Sequence, residues 1–211
     1  MLPANDNPSI PGEAAPICAP RKGRLWPPAL ILALLFAFGL AVFLLLREDA
    51  SPVTDPDMPW FTVYGGTLYF DESMYSGGSE LEVPSSVGGQ TVTAIGEFCF
   101  SGSDYLTTVI LPDTVVEIGE LAFADSTAIR GVYIPDGVTW IGDYAFYGCT
   151  ALESVCVPGS AGYIGSEAFA ECPKLMHIFY AGAAEDWIYL YPDAINEGTC
   201  IYAYDGTLQL G

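Results

Sequence analysis

The side chains best able to do chemistry are few and widely spaced. The chain of 211 residues has six cysteines, one histidine, 26 Asp and Glu, and 6 Lys and Arg. No cysteine spacing suits zinc, whose structural sites place ligand pairs roughly two to four residues apart. His177 stands alone, so neither a Ser/His/Asp set nor an activated Cys–His pair can be assembled. The carboxylates scatter over turn and surface positions, and none stands out as one of a glycosidase pair. Asp113 and Asp136 each follow a proline and read as turn residues rather than calcium ligands; Gly159 breaks their column. Catalysis is not expected, nor is any metal or cofactor.

The spacing of the remaining residues is more informative. Ile-Gly falls at Ile95-Gly96, Ile118-Gly119, Ile141-Gly142 and Ile164-Gly165, in steps of 23. Phe100, Phe123, Phe146 and Phe169 keep the same step. So do Leu106, Ile129, Leu152 and Leu175, and Pro112, Pro135 and Pro158. Ser103, Ser126, Cys149 and Cys172 form a column of small residues. A period of this size marks a solenoid, in which each unit buries its apolar face only against its neighbours.

The unit reads L-x-x-V-x-L/I-P-x-x-V-x-x-I-G-x-x-A-F-x-x-(C/S). It resembles the BspA-like type of leucine-rich repeat found in bacterial surface proteins, over residues 79–181. The resemblance implies a curved solenoid with a binding or adhesion role; it does not imply an enzyme, and it names no ligand. It departs from the general leucine-rich pattern in having Pro and a turn where an Asn/Cys ladder would follow the strand.

The residues support a β-rich solenoid of short strands and short helical turns by themselves. In "LTTVILPD" Val109 and Leu111 point to one face and Thr108 and Ile110 to the other. Pro112-Asp113 turns the chain. Val115 and Ile118 return to the core, and Gly119 permits a backbone geometry or close approach that a Cβ would hinder. Ala122 and Phe123 close the coil in a helical turn. Four such units stacked about 4.8 Å apart span about 20 Å. The structural core is thus Ile95, Ile118, Ile141 and Ile164 with Phe100, Phe123, Phe146 and Phe169.

This register gives the cysteines their places. Cys99 shares a column with Ala122, Ala145 and Ala168 and is a small core residue. Cys149 and Cys172 sit on neighbouring rungs within disulfide range by Cα, but parallel Cβ vectors leave the Cβ atoms too far apart for an unstrained bond. They read as free thiols. Cys18 belongs to an N-terminal tail, as a free thiol or an acylation site.

Outside the repeats the chain divides by composition. Residues 1–24 carry five prolines and few apolar clusters and read as a disordered cytoplasmic tail. Within 25–46, Trp26 to Leu46 holds no charge and as a helix spans about 31 Å, enough for a bilayer core. That run exceeds the roughly 7–15 apolar residues of a cleaved signal peptide. Arg21, Lys22 and Arg24 precede it, which places the N-terminus in the cytoplasm and the repeats outside, in a single-pass cell-membrane protein. Residues 47–59 read as an acidic, Pro-rich spacer. "WFTVYGGTLYF" signals a hairpin within an N-terminal cap, 60–78. The interval Pro84 to Ile95 is five residues longer than Pro112 to Ile118, an insertion around Gly88-Gly89. The Ile-Gly pattern lapses at Trp187-Ile188, which opens a C-terminal cap, 182–211, ending in a hairpin around Asp205-Gly206.

Charge narrows the partners. Residues 47–211 hold 3 Lys and Arg against 24 Asp and Glu, a net of −21. Nucleic acid is excluded, because phosphate requires a basic surface. The outward strand column, Ile110, Tyr133, Cys156 and Phe179, is less polar than solvation needs. Beside it run Thr108, Gly131, Ser154 and His177. Contiguous exposed apolar strips tend to be interaction surfaces. These eight residues are the candidate face for a protein or glycan ligand, with Tyr133 its anchor. The other readings are a scaffold subunit of a membrane assembly, with the repeats as spacer, and a hydrolase with an unrecognised carboxylate site.

Overall fold

The computed structural model describes residues 51–190, 195 and 198–209. The expected tail 1–24 and membrane helix 25–46 lie outside them. Among the described residues no helix is long and apolar enough to cross a membrane.

The described chain begins with three antiparallel strands, β1 (Val53–Asp55), β2 (Met58–Tyr64) and β3 (Thr67–Phe70). The β2–β3 turn is Gly65-Gly66, both at positive φ. This is the backbone a two-residue hairpin requires, and glycine adopts it without a Cβ penalty. The spacer expected over 47–59 is therefore too long. Val53 pairs with Val63, and Met58 and Pro59 already belong to β2. Charge and proline hid a strand that is tied down by its neighbour rather than by its own composition.

From β4 (Glu80–Glu82) onward the chain coils. The insertion forms a small hairpin, β5 (Ser86–Val87) and β6 (Gln90–Thr91), turning at Gly88-Gly89. The strands of the Ile-Gly column follow: β7 (Ala94–Ile95), β9 (Glu117–Ile118), β11 (Trp140–Ile141) and β13 (Tyr163–Ile164). Between them lie β8 (Thr108–Ile110), β10 (Gly131–Tyr133) and β12 (Ser154–Val157), then β14 (His177–Tyr180), β15 (Cys200–Ala203) and β16 (Gly206–Gln209).

Two ladders result. The second ladder, β3-β7-β9-β11-β13, is parallel, with Ile95, Ile118, Ile141 and Ile164 in register. The first ladder carries β4, β8, β10, β12, β14 and β15, six rungs. Between β8 and β10 the strands lie side by side without ladder pairing, so this side divides into two sheets. Glu80 pairs with Thr108, a step of 28 that contains the five inserted residues; later pairs keep the step of 23. The sixth rung continues the period past the expected end of the array, with His177 opposite Cys200 and Ile178 opposite Ile201. The repeat's Pro and Ile-Gly marks lapse on the fifth rung, after β14, where a helix, Ala184–Leu190, takes the place of the second-ladder strand and buries Trp187; the sixth rung closes instead in the β15–β16 hairpin. The closing hairpin turns at Tyr204-Asp205, one residue before the expected centre.

A third side is built of hydrogen-bonded turns rather than the expected helical turns. Phe100, Phe123 and Phe146 each donate a backbone N–H to the rung ahead, at Ala122, Ala145 and Ala168. Phe98, Leu121, Tyr144 and Glu167 all adopt φ near +55°. The left-handed region breaks a helix after a single turn, and non-glycine residues seldom enter it. Nothing in residue type announced this column, since Phe, Leu, Tyr and Glu share no turn chemistry.

The interior is a set of stacked columns. The rings of Phe100, Phe123, Phe146 and Phe169 stack with centroids 5.0, 4.9 and 5.4 Å apart. Each is at most 2% exposed, and burying such a ring contributes about 1.5–3 kcal/mol. The glycine after each Ile meets the rung before it. A Cβ on Gly142 would lie 2.6 Å from the Glu120 nitrogen, and one on Gly119 2.8 Å from the Ile95 oxygen. Close approach is thus what demands glycine here.

Candidate functional site

Parity along the first ladder follows from the core. Val109, Val132, Val155 and Ile178 point inward and are buried, so their neighbours turn out. Ile110 is 53% exposed and Tyr133 36%. Phe179 is half-buried, and His177 is exposed. Thr108, Gly131 and Ser154 are half-buried in the neighbouring column. Cys156 differs from the expectation of an exposed strip: it is 7% exposed, although it shares the outward column with Tyr133. The apolar strip therefore has two parts, Ile110 and Tyr133 toward the N-terminal end and Phe179 beyond Cys156.

Tyr202 enlarges the second part. It pairs with Phe179 in register and stacks on its ring at 5.2 Å and 19°. Its hydroxyl lies 3.4 Å from His177 Nδ1. Burial, with Cys200 nearby, pushes the Tyr202 phenol above its ordinary value. Tyr202 stands 23 residues after Phe179, so the period alone could have found it; the loss of the Ile-Gly pattern drew the array's end too early. The three rings form a small platform with one hydroxyl and one imidazole at its edge. Such a surface supplies apolar contact area and hydrogen bonds, with no nucleophile or acid–base pair.

The serine–cysteine column has a role beyond size. Ser126 Oγ donates to the Phe100 carbonyl at 2.6 Å. Cys149 Sγ reaches the Phe123 carbonyl and Cys172 Sγ the Phe146 carbonyl, both at 3.1 Å. Each of these three donors caps the carbonyl of the Phe one rung back, whereas Ser103, on the first rung, donates to Glu72 Oε1 at 3.2 Å, so every member of the column acts as a small donor. Cys149 and Cys172 are free thiols, and their mutual contact, together with burial, pushes the Cys149 thiol far above its ordinary range. Cys99 is buried, and desolvation raises its thiol too. These are inert core groups, since reactivity needs an exposed, stabilised thiolate.

A shallow cleft of about 400 Å³ on the turn side is lined by Asp125, Tyr147, Gly148 and Glu171, among others. Among the described residues, no group of three or more His, Cys, Asp or Glu could hold a metal ion.

Parallel rungs on a fixed period around a stacked Phe core define a leucine-rich-repeat solenoid. Residues 78–187 match the BspA type leucine rich repeat region in six copies. The match covers more than half of the sequence, and the chain belongs to this family. A leucine-rich repeat protein from Bacteroides capillosus ATCC 29799 is similar at 27% identity with a TM-score of 0.54, over 63% of this chain and 99% of that one. The T. pallidum leucine rich repeat protein shares the fold at 23% identity and a TM-score of 0.50, over 74% of this chain and 63% of that one. The chain thus spans less than two thirds of the T. pallidum protein. No curated protein matches the chain. Leucine-rich repeats typically serve protein interaction, which is the level at which family membership speaks to function.

Proposed function

We propose that this is a non-enzymatic binding protein of the cell surface, which presents the outward face of its first ladder to a protein or glycan ligand. The observation that carries this reading is the exposure of Ile110 and Tyr133, side by side on adjacent rungs of a rigid stack. A solvated strand column has no need of large apolar groups there, and tyrosine is among the residues enriched at binding hot spots. The Phe179–Tyr202 platform extends the face along the ladder. The acidic surface favours a neutral or basic ligand.

The apolar run Trp26 to Leu46 anchors the chain once through the membrane, with the basic residues before it inside and the repeats outside. Protease added to intact cells is expected to remove the repeats and spare the N-terminal tail; protection of the repeats would overturn this orientation.

The test of function is capture of a surface ligand by the wild-type chain, followed by measurement on Tyr133→Ala. Loss of the ligand from a folded variant supports adhesion. Unchanged capture, with loss of a membrane assembly on disrupting the N-terminal segment, supports the scaffold reading instead.

A further inference from the structure

The second ladder has an outward face that the proposed ligand surface does not use. Trp140 opens β11 with its side chain 46% exposed. Tyr163, one rung on, covers one face of the indole at 3.9 Å between centroids and 19° between planes. Tyr163 is held in place: its hydroxyl donates to Asp143 Oδ1 at 3.0 Å, and the same oxygen accepts the Ser166 N–H at 2.9 Å. Strand pairing sets Trp140 between Tyr163 on one side and Glu117 on the other. The uncovered face of the indole therefore turns toward the rung of Glu117, an exposed carboxylate.

The surroundings are acidic and apolar. Val116, beside Glu117, is 46% exposed, and Glu120, one rung before Asp143, is exposed. No cation of the repeats is placed to answer these charges. Residues 51–211 contain only Arg130 and Lys174, which lie one and three residues before the first-ladder strands that begin at 131 and 177, not on the second ladder. An aromatic face with a carboxylate on the next rung is complementary to a planar cation. Guanidinium is weakly hydrated, stacks on indole and pairs with carboxylate through two parallel bonds, whereas ammonium acts as a compact, strongly hydrated point charge. Rungs about 4.8 Å apart leave room for one planar group on the ring once Glu117 swings outward to meet it.

We propose that Trp140 and Glu117 form a second docking site, which takes an arginine side chain from a basic segment of a partner protein, stacked on the free indole face and paired with the Glu117 carboxylate. The site is independent of the first-ladder face.

The test uses the full chain and a labelled Gly-Arg-Gly-Arg-Gly peptide at physiological salt, with Gly-Lys-Gly-Lys-Gly as its counterpart. The arginine peptide is expected to bind more tightly than the lysine one. Trp140→Leu, which changes no charge, is expected to weaken the arginine peptide about three- to fivefold, the size of an exposed cation–π contact. Glu117→Gln is expected to weaken it similarly, while Asp136→Asn, an equal charge change on an exposed turn, leaves it within about twofold. Equal binding by wild type and both site variants overturns the proposal. So does an equal loss in Glu117→Gln and Asp136→Asn, which would be diffuse electrostatic attraction. Conversion of a dimer to a monomer by Trp140→Leu, with peptide binding unchanged, assigns the face to a second copy and overturns it as well. Should Trp140→Leu fail to fold, Glu117→Gln against Asp136→Asn decides the matter.

Discussion

The inward and outward columns of this solenoid are written by the same period and obey opposite rules. Inward, one residue type recurs on four successive rungs: Phe at 100, 123, 146 and 169, Ile-Gly at 95, 118, 141 and 164. Outward, the first-ladder column reads Glu82, Ile110, Tyr133, Cys156, Phe179 and Tyr202, with no two neighbours alike except the final aromatic pair. The inward sites are identical because each rung offers the next the same hole. The outward sites answer to whatever the rung meets in solution. Repetition therefore reports stability, and departure from repetition is where the proposed ligand contacts lie.

Truncating the inward column should have the largest effect. Phe146 is fully buried between two stacked rings, and Phe146→Ala is expected to cost about 3–5 kcal/mol, a large share of a domain's stability. Thermal or urea unfolding checks this; an unchanged midpoint would mean that the core is not organised by this ladder.

Gly142→Ala sharpens the same point with one added methyl. Its Cβ would fall 2.6 Å from the Glu120 nitrogen and 2.7 Å from the Gly119 carbonyl carbon, both backbone atoms that can yield only if the rungs part. A loss of about 1–3 kcal/mol is expected in the same unfolding experiment.

The serine–cysteine column makes a finer distinction. Ser126→Ala strands a buried carbonyl and is expected to cost about 1–3 kcal/mol, whereas Ser126→Cys should be near neutral, since Cys149 and Cys172 make the same contact on later rungs. Equal stabilities for the two variants would reduce the column to a requirement for small volume.

What was legible in the sequence follows this division. The columns of Phe, Ile-Gly and Pro carried the solenoid, its register and its family resemblance, because identical packing holes enforce identical residues. The ends were harder. The strand Val53–Asp55 and the sixth rung, Cys200–Ala203, are paired by neighbours rather than marked by repeat residues, so composition misassigned the first and the lapse of Ile-Gly concealed the second. Outward parity at Ile110 and Tyr133 could be read from alternation, but the burial of Cys156 could not, and neither could the Trp140–Tyr163 stack, which depends on side-chain packing between adjacent rungs. The donor role of the small column was available in principle. All four members are Ser or Cys and none is Ala, which volume alone does not explain.

The central claim is that the outward column of the first ladder binds. Its most direct test is the affinity of Tyr133→Ala for the captured ligand, measured beside its unfolding midpoint. The ring is 36% exposed and turned from the core, so stability is expected to change little. Binding is expected to weaken by about 1–2 kcal/mol or more, as for an aromatic hot spot, while Asp143→Ala, beyond the second ladder, leaves affinity unchanged. Wild-type affinity in a folded Tyr133→Ala variant would contradict the account.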